Sequence, residues 1–249
     1  MSTIKRHEIE YAVCCTVGRL RRNNEDNFFC DGQIRRDVNS NDDVAFSGSV
    51  FSDTNEMFAV FDGMGGEACG EVASFVAASH TELFTRSRAE YEEYLYELAD
   101  YLNEKVREET EARSLVLMGT TAAMLQFTDE DLFVLNAGDS RVYRLSKHEL
   151  KQITADHIAV GYGGKAITKF LGMPGDGKLR PYLAMGQYKA GDVYLLCSDG
   201  VTDMLSDPQI LAILDTKAPV DETCRTLIDA AMDRGGIDNA TAILLRVKK

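Results

Sequence analysis

Four aspartates lie in short turns at the ends of apolar runs. The turns are Phe61-Asp62-Gly63-Met64-Gly65-Gly66, Gly138-Asp139-Ser140, Ser198-Asp199-Gly200 and Ile237-Asp238-Asn239. Converging carboxylates repel each other unless a cation lies between them, and Mg²⁺ and Mn²⁺ prefer carboxylate and carbonyl oxygens. The pattern predicts a hydrated site for two divalent ions. Any one Asp-Gly pair alone is equally well explained as a turn former.

The chain has a net charge of −13 and a pI of about 4.8. Nucleic acids and anionic membranes bind basic surfaces, so this charge disfavours both as partners. It would also disfavour an anionic substrate, unless divalent cations supply positive charge in the site. The first residues lack an apolar signal segment, and no apolar run is long enough to span a bilayer, so we expect a cytoplasmic protein.

The elements that must position these acids follow from hydrophobic periodicity. Strands are predicted at 9–17, 28–30, 57–61, 119–127, 131–136, 141–145, 149–153, 192–197 and 240–247. Helices are predicted at 70–85, 90–113, 208–214 and 220–234, and residues 31–55 are interpreted as a loop or ragged hairpin. The helices fall in two clusters, which favours antiparallel sheets flanked by helices over an alternating βαβ series. We expect one domain over residues 1–249.

Taken together, the motifs resemble the metal-dependent type 2C serine/threonine protein phosphatases in their short bacterial form. The matching segments, in chain order, are Arg21 to Asp26, Asp62 to Gly66, Gly119 to Thr121, Asn136 to Arg141, Cys197 to Gly200 and Asp238-Asn239. The resemblance runs from about residue 13 to residue 247. It implies an α+β fold, a four-layer α-β-β-α sandwich with two central antiparallel sheets and a metal centre at one edge.

The resemblance also implies the ligands of two Mn²⁺ or Mg²⁺ ions. Asp62 would bridge both ions, and the backbone carbonyl of Gly63 would bind one of them. Asp199 and Asp238 would complete the shell of the other ion. Two such ions can lower the pKa of a water between them and hold it in line with phosphorus.

Further acids of the matching motifs would lie around these ions. Glu25 and Asp26 would act nearby, directly or through water. Asp139 and Asp199, with or without Asp203, would hold the third ion found in bacterial members. Two of these assignments have a structural alternative, because Asp139 could form an Asx-turn and Asp203 could cap the turn that precedes it.

The resemblance assigns two polar residues to the substrate and to the ligands. Arg21 lies where the family anchors the substrate phosphate, and a guanidinium fork matches phosphate oxygens bidentately. Asn239 would orient Asp238 from the second shell of ligands.

Two departures from the family pattern bear on mechanism and specificity. Met64 stands where many eukaryotic relatives carry a histidine proposed to protonate the leaving group, and methionine cannot donate a proton. The helical flap of bacterial members is mostly missing, since only residues 158–166 separate His157 from Ile167. We interpret residues 158–166 as a shortened flap with a flexible, glycine-containing link, and expect an open cleft.

The leading hypothesis is metal-dependent hydrolysis of phosphoserine and phosphothreonine in proteins. The expected partners are phosphorylated proteins, including a Ser/Thr kinase, and the expected state is a monomer. One alternative is a non-catalytic module that senses a phosphorylated partner, which the shortened flap favours, although no predicted metal carboxylate is missing. Another alternative is a phosphatase of small metabolites.

Overall fold

A computed structural model describes residues 6–54, 56–64, 69–83, 91–129, 131–161, 164–175 and 178–248 of the chain. Its strands are β1 (Glu8–Thr16), β2 (Asp26–Cys30), β3 (Val44–Phe51), β4 (Met57–Met64), β5 (Gly119–Thr120), β6 (Ala122–Phe127), β7 (Leu132–Ala137), β8 (Arg141–Ser146), β9 (Glu149–Gln152), β10 (Ile158–Gly161), β11 (Gly164–Ile167), β12 (Tyr182–Gly186), β13 (Val193–Cys197) and β14 (Ala240–Val247). Its helices are α1 (Gly70–Leu83), α2 (Tyr91–Ala112), α3 (Asp199–Thr202), α4 (Asp207–Leu214) and α5 (Val220–Asp233). Gly65 and Gly66 of the predicted Asp62 turn lie outside the described residues.

Two antiparallel sheets pack face to face. The first sheet has the strand order β3-β1-β14-β13-β8-β9, and the second has the order β12-β7-β6-β4-β2, with β5 paired to β4. Helices α1 and α2 cover the outer face of the second sheet, and α3, α4 and α5 cover the outer face of the first. The expected four-layer α-β-β-α sandwich is therefore confirmed.

Strand β14 shows how the layers form, because alternate side chains of a strand point to opposite faces. Ile243, Leu245 and Val247 belong to the core between the sheets. Ala242 and Leu244 belong to the core beneath the helices of the first sheet. Since both faces are buried, the central strands are apolar throughout, and their sequences lack the alternation of half-exposed strands.

Several segments differ from the sequence-based expectation, and two of these, β12 and α3, lie where no element is predicted. Residues 31–55 include an edge strand, β3, which pairs with β1 and buries only Val50 among its residues. Its polar composition fits an edge, where one face and one row of backbone groups meet solvent. Within the segment expected as a flexible link, residues 158–161 and 164–167 form β10 and β11, which pair as an antiparallel hairpin, and residues 162–163 lie outside the described residues. No helix in the described ranges has the length and apolar character needed to cross a membrane.

The inter-sheet core predicts a clear difference between two phenylalanines. Phe58 is fully buried and its ring meets those of Tyr11 and Phe127, so Phe58→Ala should lower the free energy of unfolding by about 3–5 kcal/mol. Phe51 is 39% exposed, and Phe51→Ala should cost less than about 1 kcal/mol. Urea unfolding would measure both values, and equal losses would contradict the packing described here.

Candidate metal centre

The acids predicted from the sequence meet at one edge of the sandwich. In the second sheet, Asp26 at the start of β2 lies directly opposite Asp62 near the end of β4. In the first sheet, β13 ends two residues before Asp199, and β14 begins two residues after Asp238. Asp139 lies in the turn between β7 and β8. Strand ends from both sheets therefore bring together carboxylates that are far apart in the chain.

Close backbone contacts explain two of the glycines in these turns. A Cβ on Gly70 would lie 2.9 Å from the carboxyl carbon of Glu25 and 3.0 Å from the carbonyl oxygen of Gly63. The Glu25 carboxyl group and the Gly63 carbonyl, both predicted to act at the ions, thus converge on the same point. A Cβ on Gly200 would collide with the carbonyl oxygen of Asn239. This contact packs the Asp199 turn against the Asp238 turn.

Asp26 joins the two sheets at the centre of the site. Its Oδ2 accepts 2.7 Å hydrogen bonds from the hydroxyl groups of Ser198, which follows β13, and Thr241 of β14. Burial is the main cause that raises the pKa of Asp26 to about 7. The two hydrogen bonds lower this pKa, and the charges of Asp199 and Asp238 raise it. Its buried Oδ1 has no hydrogen-bond partner among the described residues. A cation would satisfy that oxygen.

Mutual repulsion also affects the carboxyl groups of Asp62 and Asp199. Burial and the charges of four neighbouring aspartates raise the pKa of Asp62 well above its ordinary value. Burial, and then the charges of Asp139 and Asp203, raise the pKa of Asp199 to about 6. Neighbouring carboxylates of like charge favour either a shared proton or a bound cation. The cluster therefore has the electrostatics of a cation site.

Arg21 lies at the solvent edge of this cluster, as predicted for a phosphate anchor. Its Nη2 donates a 2.6 Å hydrogen bond to Asp238 Oδ2, and the Arg21 side chain remains 51% exposed. Burial and the charge of Glu71 raise the pKa of Glu25, and the charge of Arg21 lowers it. The guanidinium group thus combines a link to the acids with access to an incoming anion.

Asn239 has a different role from the one expected. Its backbone N–H, rather than its side chain, donates to Asp238 Oδ1 over 2.8 Å. The side-chain Oδ1 accepts the backbone N–H of Glu25 over 2.8 Å, and Nδ2 donates to the carbonyl groups of Val17 and Asn23. The expectation that the Asn239 side chain orients Asp238 is therefore corrected, because this side chain positions the segment that carries Glu25.

Asp139 meets a cation that sequence reasoning missed. Asp139 is 2% exposed, and the Nζ of Lys165 on β11 lies 2.5 Å from its Oδ2. The same Nζ lies 3.6 Å from Asp199 Oδ2. Asp203 is exposed at the end of α3, where its backbone N–H donates to the Asp199 carbonyl and closes the helix. No local sequence signal assigns Lys165 to this site, because the contact depends on the hairpin.

The donor set suits hydrated ions rather than a fully enclosed one. Within the described ranges, no three His, Cys, Asp or Glu side chains lie in an arrangement that could by itself hold a metal ion. Mg²⁺ keeps several waters and is bound through one or two carboxylates, so it needs no closed cage of protein ligands. The unpartnered buried oxygens of Asp26 and Asp139 and the repulsion at Asp62 fit such ions.

The raised pKa values of Asp26 and Asp199 predict a pH-dependent response to Mn²⁺. Without metal, both groups bind protons more tightly in the folded than in the unfolded chain, so their contribution to stability falls as the pH rises from about 4 to about 7. Protons also compete with the ion. The increase in Tm caused by saturating Mn²⁺ should therefore be several degrees larger at about pH 7.5 than at about pH 5.5.

Differential scanning calorimetry at both pH values, with and without Mn²⁺, measures this difference. Asp233→Asn, a change at a 78% exposed carboxylate outside the cluster, is the matched control and should leave the difference intact. An increase in Tm of equal size at both pH values would contradict the electrostatics of the cluster.

Comparisons with known proteins identify the family. Residues 31–235 match the family described as Protein phosphatase 2C. The chain is 30% identical over 255 residues to Serine/threonine phosphatase stp of Listeria monocytogenes serotype 4b, with 92% of each chain covered. It is 32% identical over 261 residues to Serine/threonine protein phosphatase PstP of Mycobacterium tuberculosis, which covers 96% of this chain and 45% of that protein.

A solved structure shows the same relationship at the level of the fold. The crystal structure of the catalytic domain of PstP in complex with 2 manganese ions superposes on this chain with a TM-score of 0.79 and 30% sequence identity. The superposition covers 98% of this chain and 100% of that domain. The match over most of the chain, together with the shared fold, places this protein in the protein phosphatase 2C family.

Proposed function

We propose that this chain hydrolyses phosphoserine and phosphothreonine residues of proteins at a centre of two divalent ions. Asp62, the backbone carbonyl of Gly63, Asp199 and Asp238 would hold the two ions, which would supply an activated water for the hydrolysis. The observation that carries the proposal is the convergence of these carboxylates, where burial, and then the charges of neighbouring aspartates, raise the pKa of Asp62 and Asp199. As a member of its family, the chain is a Mn²⁺- or Mg²⁺-dependent protein serine/threonine phosphatase.

The protein's own contribution is to fix ligands and substrate before the reaction. When bound, Mn²⁺ or Mg²⁺ lowers the pKa of water and offsets the charge of the phosphate group. The backbone of Asp62 is fixed, because its N–H donates to Thr121 Oγ1 over 3.0 Å and its carbonyl accepts the N–H of Thr121 over 2.8 Å. Asp26 is held by two hydroxyl groups from the opposite sheet. Ligands held in this way cost little reorganisation when the substrate arrives.

Arg21 is the residue proposed to take hold of the phosphate. Its guanidinium group presents several N–H donors, of which the contact with Asp238 occupies one. The remaining donors can bind two phosphate oxygens at once, which a lysine cannot do with the same geometry. Because protein kinases make phosphoserine and phosphothreonine, the proposal places the chain downstream of a Ser/Thr kinase.

The predicted ligands are tested by two neutral substitutions of similar size. Asp62→Asn and Asp199→Asn should each lower kcat/KM by about a thousandfold or more, because several kcal/mol of transition-state stabilisation depend on the ions. The measurement is turnover of p-nitrophenyl phosphate and of a phosphothreonine peptide with Mn²⁺, which EDTA should abolish in the wild type. Asp233→Asn is again the control.

Circular dichroism would establish that both variants remain folded. Normal turnover in either folded variant would overturn its assignment as a ligand. Tight binding of the phosphopeptide by the wild type without turnover, at saturating Mn²⁺, would replace the proposal by the phosphoprotein-sensing alternative. Faster turnover of sugar phosphates than of phosphopeptides would favour a metabolite phosphatase.

The role of Arg21 predicts a specific pattern in the kinetics. Arg21→Ala should reduce kcat/KM for the phosphopeptide about 10- to 100-fold, since charge-assisted hydrogen bonds contribute about 1.5–3 kcal/mol. Arg21→Lys should recover part of the loss, because it restores the charge but not the fork. Arg22→Ala is the matched control and removes an exposed neighbouring cation. Equal effects of Arg21→Ala and Arg22→Ala would rule out a specific anchor.

A further inference from the structure

Lys165 lies among the acids that the family resemblance assigns to a third metal ion. Its Nζ is 2.5 Å from Asp139 Oδ2 and 3.6 Å from Asp199 Oδ2. Asp203, the remaining acid of that set, is close enough for its charge to act on Lys165. An ammonium group in this position supplies positive charge to carboxylates that would otherwise repel each other.

The hairpin that carries Lys165 is anchored beside the site at both ends. His157, which precedes β10, donates its backbone N–H to the Gly138 carbonyl over 2.9 Å, and its Nδ1 lies 3.3 Å from the backbone nitrogen of Gly138. After β11, Leu171 exchanges two backbone hydrogen bonds of 2.8 Å and 3.0 Å with Thr120. The backbone of the hairpin therefore delivers the lysine to the acids.

We infer that the ammonium group of Lys165 takes the place of the third metal ion in this chain. The centre would then bind two divalent ions and carry its third cation on a side chain. The inference rests on the proposed function, because it concerns the same group of carboxylates. It also gives the shortened segment 158–166 a role, since this segment includes the lysine.

Steric and electrostatic arguments oppose a third ion while Lys165 is in place. Mg²⁺ would approach a carboxylate oxygen to about 2.1 Å, but the ammonium group already covers Asp139 Oδ2. An ion bound beside the ammonium group would be repelled by it. Asp139 Oδ1 remains buried without a hydrogen-bond partner in the part of the chain that the structure describes. One lysine therefore does not satisfy every carboxylate oxygen of the cluster.

The number of bound ions tests the inference directly. Isothermal titration with Mn²⁺, checked by metal analysis after equilibrium dialysis, should give two ions per wild-type chain. Lys165→Met removes the charge but keeps much of the side-chain volume. This variant should bind a third ion, with a Kd at least about tenfold lower than the Kd of any third ion bound by the wild type. Lys165→Arg keeps the charge and should bind two ions. Lys151→Met, on an exposed position of β9, is the matched control and should also bind two.

A crystal of the wild-type chain soaked in Mn²⁺ provides a second measurement that needs no variant. Anomalous scattering should show two peaks, with Lys165 still in contact with Asp139. A third peak between Asp139 and Asp199 in the wild type would overturn the inference. Two ions in both the wild type and Lys165→Met would also overturn it, because the lysine would then exclude nothing.

The proposed function can fail separately from this inference. A wild-type chain that binds three ions and hydrolyses a phosphothreonine peptide would contradict only the role of Lys165. A wild-type chain that binds no Mn²⁺ and shows no turnover would contradict the proposed function itself.

Discussion

Repulsion between buried carboxylates is the constraint on which the arrangement of this protein depends. Asp26 and Asp62 face each other across adjacent strands, and like charges directly opposite in a sheet are destabilising. The charges of Asp199 and Asp238, which come from the other sheet, also raise the pKa of both groups. The apolar layers of the sandwich must supply enough stability to hold these groups together. A bound cation then stabilises the folded state, because it binds to the folded chain.

Both sheets contribute residues to this centre. The second sheet presents Asp26 and Asp62, and the first sheet supplies the turns that contain Asp199 and Asp238. Within the first sheet, close backbone packing of Gly200 against the carbonyl of Asn239 holds these two turns together. Asn239 then ties the Glu25 segment to the same turn. The geometry of the site therefore depends more on how the two sheets pack than on any single loop.

The sequence predicted the parts of the fold that carry strong local signals. Strand β14 and helix α5 have continuous apolar or periodic patterns and were placed within one or two residues. Strand β3 was missed because an edge strand has little apolar surface to bury. The hairpin of β10 and β11 was missed because its glycines and short length resemble a loop.

The candidate site was predictable in its acids and less so in their partners. Order and spacing of the motifs identified the aspartates, which the structure brings to one edge. Lys165 could not be found in this way, because its contact with Asp139 depends on where the backbone bonds at both ends of the hairpin hold it. The side chain of Asn239 has several polar groups within reach, and only the folded backbone determines that it binds Glu25 rather than Asp238.

Strand β14 has a consequence for synthesis of the protein in the cell. It lies between β1 and β13 in the first sheet, and its Thr241 holds Asp26. A ribosome makes this strand after all of the other described elements, so until then the growing polypeptide lacks the strand that completes both the sheet and the acid cluster. Catalytic competence must therefore appear only after β14 has been made and has inserted between β1 and β13.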